Sequence, residues 1–157
     1  MIQLEDINQY FSEFLTTYPL SNGSNSHFKQ LRKDAAEQFR QQGLPDRSNE
    51  MWREMKWDFI TRNKKYVIQT EPKAYQPVEN YFQCSTEDIN ADMFTFLNGW
   101  YVHKNAPLTL FPDGIIVGSL REAIIQFPDL VSSYMAKNKE IENGLTNLNL
   151  ALWQDGF

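Results

Sequence analysis

Few residues in this chain could carry covalent chemistry. Cys84 is the only thiol, and His27 and His103 are the only imidazoles. A cysteine becomes a useful nucleophile when a neighbouring base or helix N-terminus favours its thiolate, so a small thiol enzyme using Cys84 with His27 or His103 is one reading. The plainer reading is a free cysteine acting as a small buried hydrophobe, the commoner use of this residue, and it is preferred. No Cys-x-x-Cys pair occurs, and His103, which follows Trp100-Tyr101-Val102 on an expected strand, has no second ligand at metal spacing. His103 reads as an ordinary histidine exposed near the strand end. Glu87, Asp88 and Asp92 lack the glycine and alternating oxygen ligands of an EF-hand loop and read as solvated turn residues. On these grounds no catalytic, cofactor-binding or metal site is assigned.

Charge excludes a further class. Twenty acidic against fifteen basic side chains give a net charge of -5 over 157 residues, whereas affinity for a phosphate backbone comes from Lys and Arg displacing counterions. Nucleic acid is a poor partner for such a chain, and the short basic run Arg62-Asn63-Lys64-Lys65 reads as a solvated strand edge. The N-terminal Met1-Ile2-Gln3-Leu4-Glu5-Asp6 is acidic where a signal peptide would be basic. No apolar run approaches the ~18 residues that span a bilayer, and a lone cysteine forms no internal disulfide. These features together point to the cytoplasm and away from a membrane.

The elements that must position any site follow from periodicity. Apolar residues make up 41% of the chain and aromatics 14%, enough for one folded domain burying roughly 70% of its unfolded surface. Ile2, Leu4, Ile7, Phe11, Phe14, Leu15 and Tyr18 recur on one helical face, closed by Pro19. A second helix is expected over about 26–42, with Phe28, Leu31, Ala35, Ala36 and Phe39 inward and Gly43 as a left-handed cap. The two are expected to pair antiparallel.

A short helical turn is expected over Asn49-Glu50-Met51-Trp52 and then Trp57-Asp58-Phe59-Ile60, followed by a brief strand over 65–69 and a Pro-interrupted loop over 70–80. Asn98-Gly99 between Phe94-Thr95-Phe96-Leu97 and Trp100-Tyr101-Val102-His103 is the preferred pair for a two-residue type I′ hairpin. Leu108 to Phe111 and Ile115-Ile116-Val117 flank the turn Pro112-Asp113-Gly114, so three strands are expected to share one small antiparallel sheet. Ser119 with Glu122 suggests a capping box over Leu120, Ala123, Ile124 and Phe127. Pro128 restarts the chain into a unit with Leu130, Val131, Tyr134 and Met135, and a last unit carries Leu145, Leu148, Leu150, Leu152 and Trp153. Trp-Gln-Asp-Gly-Phe at the end reads as a turn about to feed a further strand.

Three separated segments together resemble the SufB/SufD scaffold family of the SUF iron-sulfur cluster assembly system, most closely the N-terminal region of its SufD branch. Gly43-Leu44-Pro45, Arg47, Glu50 and Trp52 look like the family's Gly-Leu-Pro-x-Arg-x-x-Glu-x-Trp signature. Asn98-Gly99, Phe111-Pro112-Asp113-Gly114-Ile115-Ile116-Val117 and Ser119-Leu120 with Glu122-Ala123 are similar to its hairpin and to its Leu-Pro-x-Gly-Val-x-Val-x-Ser-Leu-x-x-Ala stretch. Leu148-Asn149 through Asp155-Gly156 is like the passage before the family's large C-terminal domain. Arg53-Glu54-Met55 stands where the family often has Lys-Tyr-Thr.

The resemblance implies a mainly helical α+β fold: an N-terminal helix pair, a small antiparallel sheet with the Asn-Gly hairpin, and C-terminal short helices, with the family's β-helix domain absent. Residues 1–157 then form a single SufD-like N-terminal domain, divided into a helical hairpin (1–43), the signature segment and small sheet (44–119), and short helices (120–157) leading to the missing C-terminal domain. The implied role is a non-catalytic scaffold component acting with SufB and the SufC ATPase through the full-length parent, and room is left for a homodimer. No cofactor is expected in this chain, because the parent complex handles the iron-sulfur cluster and one thiolate at Cys84 needs further ligands to hold one. Gly43, Pro45, Arg47, Glu50 and Trp52 are the signature residues and a possible protein contact, since Trp beside Arg is hot-spot composition. Core packing is the plainer role for Trp52, Trp57, Trp100 and Trp153. The alternatives are a free-standing protein-interaction adaptor using the Arg47 to Trp57 surface and, below it, the Cys84 thiol enzyme.

Overall fold

The computed structural model describes residues 4–18, 25–55, 94–103, 106–135 and 143–156. Cys84, Trp57-Asp58-Phe59-Ile60, Glu87, Asp88, Asp92, the basic run 62–65, the strand expected over 65–69 and the loop over 70–80 lie outside the described residues. The chain divides into two compact units, Met1–Val67 with Leu130–Trp153, and Ile68–Asp129 with Gln154–Phe157.

Among the described residues, the core of the first unit is built by three helices. Helix α1 spans Leu4–Thr17 and turns Ile7, Leu15 and the following Tyr18 inward, with Leu4 and Phe11 packed at the margin, as the apolar spacing requires. Helix α2 spans Ser26–Gln42, starting from Asn25, whose side chain accepts a hydrogen bond from the His27 N–H at 2.8 Å. Such a cap contributes about 1 kcal/mol. Its buried stripe is Phe28, Arg32, Ala35, Ala36 and Phe39, so an arginine occupies the place expected for Leu31, and Leu31 is only half-buried.

Helix α5 (Gly144–Leu152) is the principal partner of α2, ahead of α1. The small residues Ala35, Ala36 and Ala151, all buried, let these helices approach closely. Among the described residues Phe39 and Leu15 are the largest fully buried side chains, and truncating a buried Phe costs about 3–5 kcal/mol. The amphipathic pairing expected for α1 and α2 is therefore part of a three-helix arrangement around Ile7, Leu15, Phe39, Leu44 and Leu148.

Among its described residues the second unit holds two hairpins. Strands β1 (Thr95–Leu97) and β2 (Trp100–Val102) pair antiparallel with Leu97 opposite Trp100. The Asn-Gly turn joins them with φ of 53° at Asn98 and 84° at Gly99, the left-handed pair a type I′ turn requires. Strands β3 (Leu108–Leu110) and β4 (Ile116–Gly118) pair with Leu110 opposite Ile116, closed by the Gly114 N–H donating to the Phe111 carbonyl at 3.0 Å. Among the described residues these strands make two two-stranded sheets, not the one shared sheet expected. Each tight turn pairs its strands locally, and the N–H of Ser119 just after β4 is taken by the Pro107 carbonyl at 2.9 Å.

Helix α3 spans Leu120–Gln126, and Ser119 caps it by accepting from the Glu122 N–H at 3.1 Å. Only half of the expected box forms, because the Ser119 N–H is given to the Pro107 carbonyl, while the Glu122 carboxylate accepts from Gln126 at 2.8 Å. Helix α4 spans Pro128–Tyr134. It buries none of its residues, and Tyr134 is 74% exposed, so its amphipathic pattern covers no core among the described residues. The mainly helical α+β class expected from the sequence is the class observed.

Candidate functional site

The signature segment has an inward and an outward half, both within the first unit. Gly43 ends α2 with φ 63° and its N–H returns to the Phe39 carbonyl at 2.8 Å. A β-carbon here would lie 2.7 Å from the Asn8 side-chain nitrogen, so any other residue would have to displace the Asn8 amide, and the positive φ by itself favours glycine. The Asn8 oxygen accepts the Leu44 N–H at 2.8 Å, and Leu44 is buried in the core. On the other side, a β-carbon at Gly144 would fall 1.4 Å from the Gly43 carbonyl oxygen, which places the start of α5 directly against the signature backbone. Pro45, half-buried, carries the chain out of this contact.

From Asp46 the segment turns outward. The Asp46 carboxylate accepts the Ser48 N–H at 2.8 Å and also the Ser48 hydroxyl, and these bonds, the hydroxyl's first, hold its carboxyl below the usual carboxylate range. Asn49 caps a single 3-10 turn, Glu50–Trp52, by accepting from the Met51 N–H at 3.1 Å. Trp52 is half-buried and packs with Met55 against the core, so the core reading describes it better than the exposed-contact one. Trp100 is buried in the second unit, with the Arg121 guanidinium 5.8 Å from its ring centroid.

What remains on the outer face is Arg47, Glu50, Met51, Arg53 and Glu54, all exposed, Met51 by 79%. Both signs of charge around a bare methionine suit recognition of another protein surface. They do not form a nucleophile and base pair. His27 and His103 are both exposed; His27 packs edge-on to Phe28 and His103 stacks on Tyr101 at 6.0 Å. Among the described residues no three His, Cys, Asp or Glu side chains gather to hold a metal ion, and no helix is long and apolar enough to cross a membrane.

Two constellations make contacts that local spacing does not spell out, the first around Arg32 and the second around Asp155, a residue the resemblance names without a role. Arg32 is only 4% exposed. Its Nε donates to the Ala151 carbonyl at 3.1 Å, and its guanidinium lies 5.9 Å from the Tyr18 ring centroid and 5.8 Å from that of Trp153. Burial lowers the Arg32 pKa and raises that of the Tyr18 phenol, each opposed by the attraction between the two. An arginine on an otherwise apolar stripe is the signal by which it could be found.

The second centres on Asp155 in the second unit. Its carboxylate accepts the Tyr101 N–H at 3.0 Å, the Ser119 hydroxyl at 2.8 Å and the Arg121 N–H at 3.0 Å, while the Gly156 carbonyl accepts the Leu120 N–H at 3.0 Å. The Asp-Gly pair thereby laces β2 to the start of α3. All three motifs that carry the resemblance therefore contribute to the fold, Gly43-Leu44 by seating the start of α5, Asn-Gly by turning the first hairpin, and Asp-Gly by this lacing.

No curated protein and no solved structure matches the chain. Residues 4–157 do match the family described as the SufBD protein N-terminal region, and with the signature residues seated in this way the chain belongs to that family, a scaffold-type component of SUF iron-sulfur cluster assembly.

Proposed function

We propose that this chain is the N-terminal domain of a SufD-like scaffold component, non-catalytic by itself, that works in the cytoplasm with SufB-like and SufC-like proteins. The iron-sulfur cluster is cargo of the parent complex in this reading, not a resident cofactor of the chain. The observation that carries it is the family match along residues 4–157. The division of the signature segment supports it: Gly43 and Leu44 seat the start of α5, while Arg47 and Glu50 stand outside with Met51 and Arg53 as a candidate protein contact.

Co-expression of the protein with SufB-like and SufC-like partners, followed by affinity purification through any one of them, tests the proposal. Co-elution of all three is expected. The double charge reversal Arg47→Glu with Glu50→Lys is expected to weaken recovery while leaving the helical circular dichroism signal unchanged, because both side chains are exposed. Failure of the parent protein to co-elute with either partner sinks the scaffold reading. Loss of helix in the double variant would remove the signature segment from the contact and return it to a purely structural role.

A further inference from the structure

The chain contains five methionines, and three of them, Met51, Met55 and Met135, fall among the described residues in different settings. Met51 is 79% exposed, more than any other large apolar side chain among the described residues. Met55, four residues on, is half-buried and packs against the core of the first unit, and Met135 just beyond α4 is half-buried as well. We propose that Met51 is the site at which hydroperoxides modify the folded protein ahead of Met55 and Met135, and that its sulfoxide weakens the partner contact of the signature face.

Local backbone geometry puts the thioether there. Glu50–Trp52 is a single 3-10 turn, and three residues per turn send successive side chains in directions about 120° apart. Trp52 takes the inward direction and packs with Met55 against the core, so Met51, one position earlier, is turned outward beside the exposed Arg47, Glu50 and Arg53. The backbone bonds of this turn fix the arrangement. The Met51 N–H donates to the Asn49 side-chain oxygen at 3.1 Å, the Trp52 N–H to the Asn49 carbonyl at 2.9 Å, and the Met55 N–H to the Trp52 carbonyl at 3.0 Å. None of them involves the Met51 sulfur, so the turn is kept when that sulfur is oxidised.

The chemistry needs access and a hydroperoxide. A sulfur lone pair attacks one peroxide oxygen; the S–O bond forms as the O–O bond breaks, the proton of the attacked oxygen passes to the departing one, and water or an alcohol leaves. Sulfur gives up two electrons and the peroxide takes them. The product is a polar, chiral side chain in place of a flexible apolar one. It stands where the bare methionine is the apolar element of a charged surface, and covering it with a partner now requires stripping water from the sulfoxide oxygen. The effect on the contact rests on the scaffold reading given above, whereas the modification itself rests on exposure.

The test is brief treatment of the folded full-length protein with limiting hydrogen peroxide, followed by peptide mapping of the one-oxygen mass gain at each methionine. Sulfoxide at Met51 is expected to exceed that at Met55 by roughly fivefold, since full burial of a methionine corresponds to about tenfold or more and Met55 is only partly covered. In concentrated urea, where both thioethers are solvated, the ratio is expected to fall to near unity. A ratio near one in the folded protein, more sulfoxide at Met55 or Met135 than at Met51, or a ratio that survives unfolding would each overturn the site. For the contact, the lightly oxidised protein is passed over immobilised SufB-like and SufC-like partners, and Met51 sulfoxide is measured in the retained and unretained fractions. Enrichment of about fivefold in the unretained fraction is expected, the ratio of a contact residue worth about 1 kcal/mol, and the two methionine sulfoxide reductases, one for each epimer, should abolish it. Equal sulfoxide in both fractions overturns the effect on the contact. Failure of the untreated protein to be retained at all defeats the scaffold reading and the contact together, and the peptide ratio decides the modification on its own.

Discussion

Replacing Asp155 with alanine removes three hydrogen bonds from the second unit in one step. The carboxylate receives the Tyr101 N–H from β2 and both the Ser119 hydroxyl and the Arg121 N–H from the start of α3. Hydrogen bonds to a charged group contribute about 1.5–3 kcal/mol each, and an orphaned buried donor costs about 1–3 kcal/mol. The Arg121 N–H can find water, since that residue is exposed, whereas Tyr101 and Ser119 are buried. The expected loss is thus about 2–4 kcal/mol, coming chiefly from those two donors.

Urea unfolding followed by tryptophan fluorescence reads this loss, because Trp100 is buried beside Arg121 in the same unit. Amide hydrogen exchange should rise selectively at Tyr101 and Arg121. Asp155→Asn is expected to fall between alanine and the parent, keeping one acceptor oxygen but turning an amide NH₂ toward one of the donors. An alanine variant within about 0.5 kcal/mol of the parent, the range of an ordinary surface substitution, would refute the view that Asp155 laces this unit together.

Gly144→Ala should destabilise by about 1–3 kcal/mol or more, since the new methyl would meet the Gly43 carbonyl at 1.4 Å; thermal melting by circular dichroism checks it, and the gain of about 1 kcal/mol expected for alanine at an open helical site would contradict the close approach. Burial raises the phenol pKa of Tyr18 and of Tyr101 above their ordinary 10.0, so the folded state holds those protons more tightly and stability should decline as pH rises from about 10 through the folded values. Urea midpoints across that range should flatten in Tyr18→Phe, and an unchanged slope would count against the burial argument. Ser48→Ala should let the Asp46 carboxyl return toward 3.8, as its main support is the Ser48 hydroxyl; an NMR titration of the Asp46 carboxyl carbon that stays put would assign the depression elsewhere.

Much of this architecture is legible along the chain because it rests on short-range rules. The spacing of Ile7, Phe11, Leu15 and Tyr18 places α1, Gly43 at the end of an apolar stripe marks a helix stop, and Asn98-Gly99 specifies a two-residue turn whatever lies around it. Ser119 is recognisable as a cap, yet its partner Glu122 turns to Gln126, four residues on, while Ser119 gives its own N–H to Pro107. Local pattern supplies the candidates for a bond, and competition among neighbours decides which forms. Asn143 with Thr146, which does complete a capping box, lacks the Ser and Glu spelling by which such boxes are usually found.

The amino-acid sequence by itself determined the helical periods, the turn positions, the acidic balance and the resemblance to a family, because each depends on residue types a few positions apart or on order along the chain. Only the tertiary structure decided that α2 packs chiefly on α5, that Arg32 lies buried between Tyr18 and Trp153, and that Asp155 reaches back to residues 54 and 36 positions earlier. Those outcomes depend on which surfaces exclude water together and where a buried donor finds its acceptor, and such pairings have no signature in local spacing.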